Sequence, residues 1–98
     1  MSDDEFQFAL PAFNAGHALV QIKRALRDLK LAERGTGFEL KGKAVLHLAE
    51  EDGAVVVKLA RRLSMTPEWD RHAVRSGADQ RKLLDEVKRR LERWQRED

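Results

Sequence analysis

Apolar positions recur along this chain at two periods, and the changes of period mark out its elements. In "EFQFAL", Phe6, Phe8 and Leu10 alternate with other residues, a short strand pattern that Pro11 closes. From Asn14 the spacing lengthens. Ala18, Leu19, Ile22, Ala25, Leu26 and Leu29 follow at intervals that place them on one helical face. Asn14 is the predicted N-cap, its side-chain oxygen accepting from a free backbone N–H. Arg34-Gly35-Thr36-Gly37 is predicted to close that helix, a glycine there taking the left-handed cap conformation.

Alternation then returns three times. Phe38 and Leu40 flank Glu39, and Lys41-Gly42 makes a tight turn. Ala44, Leu46 and Leu48 alternate with Val45 and His47. Asp52-Gly53 is a strong hairpin signal. Val55, Val57 and Leu59 lead the strand back, with Val56, Lys58 and Ala60 on its other side.

The last third is expected to be helical. Thr66-Pro67-Glu68 carries a cap, a first-turn proline and an acid at the positive end of the dipole, which predicts a short helix over 67–75. Ser76 and Asp79 predict a second start and a longer helix over 77–96. Leu84, Val87, Leu91 and Trp94 form its seam, with Leu83 beside it. Glu86–Arg90, Asp85–Arg89 and Glu92–Arg96 are acid-first pairs four apart. The reading is an α+β two-layer sandwich of order (β)αβββα(α). A three- or four-stranded antiparallel sheet carries two main helices on one face. The expected core joins Leu19, Ile22, Leu26, Leu46, Val55, Val57, Leu84, Val87 and Leu91.

Composition narrows the class. At 98 residues, 1–98 reads as a single small domain, with residues 1–4 expected to be disordered. No cysteine is present, which removes disulfides, thiolate catalysis and Cys-based zinc sites. The start, Ser-Asp-Asp-Glu, is unlike a secretory signal, and no apolar run approaches a membrane span. The expectation is a cytoplasmic protein with no membrane association.

The search for chemistry returns little. Ser64 and Ser76 sit where turns and caps want serine, and no nucleophile elbow occurs. Gly35-Thr36-Gly37 lacks the lysine of a phosphate loop. His17, His47 and His72 fall on different elements. Glu68 and His72, four apart on the predicted short helix, make only half a tetrahedral metal site. Glu50, Glu51 and Asp52 fit a soluble hairpin tip better than a calcium loop. No catalytic residue, metal ligand or cofactor is assigned, and the chain is read as not an enzyme.

Net charge is +2, but it is unevenly placed. Residues 58–82 hold seven Lys and Arg against three acids, whereas residues 1–14 hold three acids and no base. Arg61, Arg62, Arg71, Arg75, Arg81 and Lys82 are the candidate anion or nucleic-acid surface. Trp69 and Trp94 are the candidate interface aromatics, with core packing as the competing role for both.

The αβββα order, with Gly77 followed by Arg81 and Lys82 at the start of the last helix, resembles the double-stranded-RNA-binding domain. The resemblance implies a loop and a basic helix start that grip phosphates across a groove. This chain departs from the pattern in three ways. The basic pair is out of register, the predicted 67–75 helix interrupts the loop, and Leu83-Leu84 replaces the small residues of that helix. Order of elements alone does not carry function. The leading expectation is a small non-enzymatic interaction protein that binds a protein partner or itself as a homodimer. The alternative is a nucleic-acid-binding domain using the 58–82 surface.

Overall fold

The computed structural model describes residues 12–97, so the strand expected around Phe6–Leu10 lies outside the described residues. The order of elements is α1 (Ala15–Asp28), β1 (Ala32–Arg34), β2 (Gly37–Leu40), β3 (Lys43–Glu51), β4 (Ala54–Ala60), β5 (Trp69–Val74) and α2 (Gly77–Arg96). The five strands form one antiparallel meander in which each pairs with the next. The α+β class holds. Among the described residues the sheet has five strands, where three or four were expected.

Helix α1 starts as its sequence dictates: Asn14 Oδ1 accepts from the His17 N–H at 2.9 Å. Its end differs. The left-handed cap is Lys30, with φ of 70°, rather than a glycine of the 34–37 run. The Lys30 N–H donates to the Arg27 carbonyl and the Leu31 N–H to the Leu26 carbonyl. That pair of bonds is the Schellman close, and buried Leu31 supplies the apolar contact that accompanies it. The helix therefore stops before Ala32, and Gly35, with φ of 57°, turns β1 into β2.

The next two turns follow the sequence signals. Lys41-Gly42 and Asp52-Gly53 have positive φ at both central residues, the geometry that suits the right-handed twist of hairpins. Between β2 and β3 the register slips: Phe38 pairs with Leu46 but Glu39 with Ala44. Val45 is the extra residue of this bulge, and both Val45 and Leu46 are fully buried. The expected alternation, with Val45 facing away from Leu46, is corrected by that one inserted residue.

The larger correction concerns 67–75. Trp69–Val74 is a strand paired residue by residue with β4, from Val55↔Val74 to Ala60↔Trp69. A Thr-Pro-Glu start is a local preference. The segment behind it alternates Asp70, His72 and Val74 with Trp69, Arg71 and Ala73, and has no helical seam. The open edge of β4 takes it, and tertiary pairing overrides the cap signal.

Both helices pack on one face of the sheet. Leu46, Leu48, Val55, Val57, Leu59 and Val74 join Ile22, Leu26, Leu83, Val87, Leu91 and Trp94 in one core. Helix α2 begins as predicted, Ser76 Oγ accepting from the Asp79 N–H at 3.1 Å. Its buried seam runs through Leu83, and Leu84 is only partly buried, as is Leu19 on α1. Lys41, in the β2–β3 turn, donates to the carbonyls of Gln95 and Glu97 and so caps the far end of α2. Among the described residues no helix is long and apolar enough to cross a membrane.

Candidate functional site

The six candidate cations do not form one open surface. Arg61 Nε lies 2.8 Å from Asp70 Oδ1, and its Nη1 lies 3.5 Å from Glu68. Arg62 faces Glu97 at 3.6 Å, and Arg71 reaches Glu51 at 3.9 Å. Arg75, Arg81 and Lys82 have no ion-pair partner among the described residues and are exposed around the start of α2. Arg71 stands opposite Lys58 on the sheet face away from the helices, whereas Arg81 and Lys82 ride on α2. The turn that breaks the segment into a strand and a helix also splits its charges between two faces.

Behind β5 those charges build a connected network that sequence reasoning missed. Arg90, on α2, contacts Asp70 at 2.9 Å and Glu86 at 2.7 Å. It also donates to the carbonyls of Leu59 and Ala60. Arg93 donates to the Arg61 carbonyl. The hydrogen bond from Arg61 holds the Asp70 carboxyl below the usual carboxylate range, and the bond from Arg90 does the same for Glu86. Arg61 is correspondingly raised by its bond to Asp70. The network ties the end of β4 and the start of β5 to the underside of α2. Only the Glu86–Arg90 spacing was a signal for it. Arg89 pairs with Glu86 rather than Asp85.

The two tryptophans separate. Trp94 is fully buried, so its place is the core, not an interface. Its Nε1 has no hydrogen-bond partner among the described residues. Trp69 is half-buried on the face away from the helices, its ring 4.9 Å from that of His47 and tilted by 59°. His47 lies against Gly37, where a Cβ would stand 2.7 Å from His47 Nδ1. In a strand, Glu68 and His72 are about 13 Å apart along the chain and cannot share a metal. No group of three metal-ligating side chains occurs among the described residues.

The feature with most capacity for binding is the outer edge of β5. The Arg61 N–H donates to the Glu68 carbonyl, which makes that pair a hydrogen-bonded one. By strict alternation, Asp70, His72 and Val74 then direct their backbone groups toward β4. Trp69, Arg71 and Ala73 direct theirs outward. Among the described residues β5 is the last strand of the sheet, so no described strand receives them. The next outward N–H, that of Arg75, is taken by Asp79 Oδ2 at 3.0 Å. Beside this edge runs a cleft of about 450 Å³, lined by His72, Val74, Lys82, Leu83, Asp85 and Arg89 among others. His72 Nε2 is buried with no hydrogen-bond partner among the described residues.

No protein-family model, curated protein or solved structure matches this chain. The resemblance to the double-stranded-RNA-binding domain is weakened by the fold itself. Strands β1 and β5 flank the three-stranded core of that order, and β5 stands where the loop to the last helix would run.

Proposed function

We propose that this chain is a non-enzymatic interaction protein that binds an extended protein segment along the open edge of β5. The observation that carries the reading is the outward-facing backbone of Trp69, Arg71 and Ala73 beside a cleft walled by α2. An added strand gains main-chain hydrogen bonds from such an edge, and its alternate side chains enter the neighbouring cleft. Its natural setting in this reading is the cytoplasm, where a chain without cysteines loses nothing to reducing conditions. The nucleic-acid alternative has less behind it, because Arg61, Arg62 and Arg71 already face carboxylates.

The test is a titration of the isotopically labelled chain with a peptide copying residues 68–76. Amide shifts centred on Trp69, Arg71 and Ala73 are expected. Ala73→Pro deletes one outward N–H without touching the ladder to β4, a placement an edge strand tolerates. The variant is expected to unfold cooperatively and to lose the peptide. Undiminished binding by that variant would refute the edge as the site.

A further inference from the structure

We infer that the strand this edge receives is β5 of a second copy, related by a two-fold axis at His72; the inference rests on the edge reading above. A two-fold antiparallel pair must match outward residues with outward residues, and keeping at least four backbone hydrogen bonds among Trp69, Arg71 and Ala73 then limits the axis to residue 70, 71 or 72. An axis at 70 sets Asp70 against Asp70 on the helix side. An axis at 71 sets Arg71 against Arg71 on the other side. Like charges directly opposite one another oppose pairing.

An axis at 72 has neither fault. Arg71 then stands across from Ala73, and Asp70 across from Val74. Four backbone hydrogen bonds join Arg71 and Ala73 of each copy to Ala73 and Arg71 of the other. Trp69 falls opposite Arg75, which is exposed and has no ion pair among the described residues. A guanidinium against an indole is a favourable cross-strand pair, and symmetry makes it twice. The two His72 rings meet at the axis. Nε2 of each ring is already buried within its own chain and has no hydrogen-bond partner among the described residues, so the pairing at the axis rests on contact rather than on a bond to that atom.

The flank of α2 is self-complementary in the same arrangement. Lys82, Asp85 and Arg89 line the cleft, and Lys82 and Asp85 form no ion pair among the described residues. Two such flanks approaching antiparallel bring Asp85 of each copy toward the cations of the other. The inward Asp70 and outward Arg71 thus reject two registers and leave one. That is how a strand edge can be selective rather than generally adhesive.

The chain has no cysteine, so any disulfide in a single-cysteine variant joins two copies. Across the axis His72 is a non-hydrogen-bonded pair, with Cα atoms about 4.5 Å apart, inside the range a disulfide spans. At position 70 the two copies are separated by about 13 Å along the strands, beyond that range. The experiment oxidises His72→Cys, Arg71→Cys and Asp70→Cys side by side. Sedimentation of the unmodified chain and the 68–76 peptide titration accompany it. Expected are a mass twice the 11.3 kDa of the chain and rapid cross-linking at position 72 alone. Cross-linking that prefers 70 or 71 overturns the His72 axis. A chain that stays at its single mass overturns the second copy. Should the peptide still shift Trp69, Arg71 and Ala73, the edge reading survives that result; with no shift, both fall.

Discussion

Truncating Leu83 and Leu84 separately tests how α2 is turned against the sheet. Leu83 is 3% exposed and packs between α2 and β5, whereas Leu84 is partly buried at the groove shared with Ala25 and Leu29. Leu83→Ala removes three buried carbons, about 2.4 kcal/mol at roughly 0.8 kcal/mol each. The cavity left behind adds to that, giving about 3 kcal/mol. At Leu84 water fills the space from the groove, so the loss is nearer 1 kcal/mol. Urea denaturation resolves the two. With a slope of about 1–2 kcal/mol per molar, Leu83→Ala moves the midpoint by roughly 1.5–3 M and Leu84→Ala by less than about 1 M. A larger loss at Leu84 would mean the helix is rotated by about 100°, one residue, and that Leu83 does not line the β5 cleft.

Three further outcomes are expected. Asp70 and Glu86 titrate below their ordinary values, so their contribution is full above about pH 4.5 and is lost as pH falls through the lowered values. Asp70→Asn with Glu86→Gln should flatten stability against pH on the acid side in denaturation series, and an unchanged acid slope would count against the network. Gly37→Ala drives a Cβ to 2.7 Å from His47 Nδ1 and 2.8 Å from the Leu46 carbonyl. It should cost about 1–3 kcal/mol and alter Trp69 fluorescence; a silent substitution would mean His47 does not lie there. On duplex DNA, with Arg75, Arg81 and Lys82 the three of the six candidate cations that face no carboxylate among the described residues, binding through that set should show a log–log salt slope no steeper than about −3. A slope of −4 to −5 would require the paired arginines as well.

Much of the fold is legible in the sequence where a local rule and a tertiary need agree. Asn14 and Ser76 cap the helices they announce, and Asp52-Gly53 and Lys41-Gly42 turn the hairpins. The failures have physical causes. Lys30 enters the left-handed region usually reserved for glycine, so α1 ends before the 34–37 run that announces its close. Thr66-Pro67-Glu68 has the chemistry of a helix start. Six residues of period-two pattern behind it, however, gain more by completing the sheet than one helical turn could. The basic segment was visible as composition. That Arg61 would fold back on Asp70, and Arg90 reach it from α2, depends on a strand that the sequence did not announce. The open edge was illegible for the same reason.

Amide hydrogen exchange along β5, followed with protein concentration, addresses the edge most directly. Asp70, His72 and Val74 bond to β4 and should exchange slowly at every concentration. Trp69, Arg71 and Ala73 should exchange fast in dilute solution, and Arg71 and Ala73 should slow markedly as the chain associates. Uniformly fast exchange through all six residues would deny that β5 is a strand. Arg71 and Ala73 amides that stay fast while the mass doubles would place the contact elsewhere.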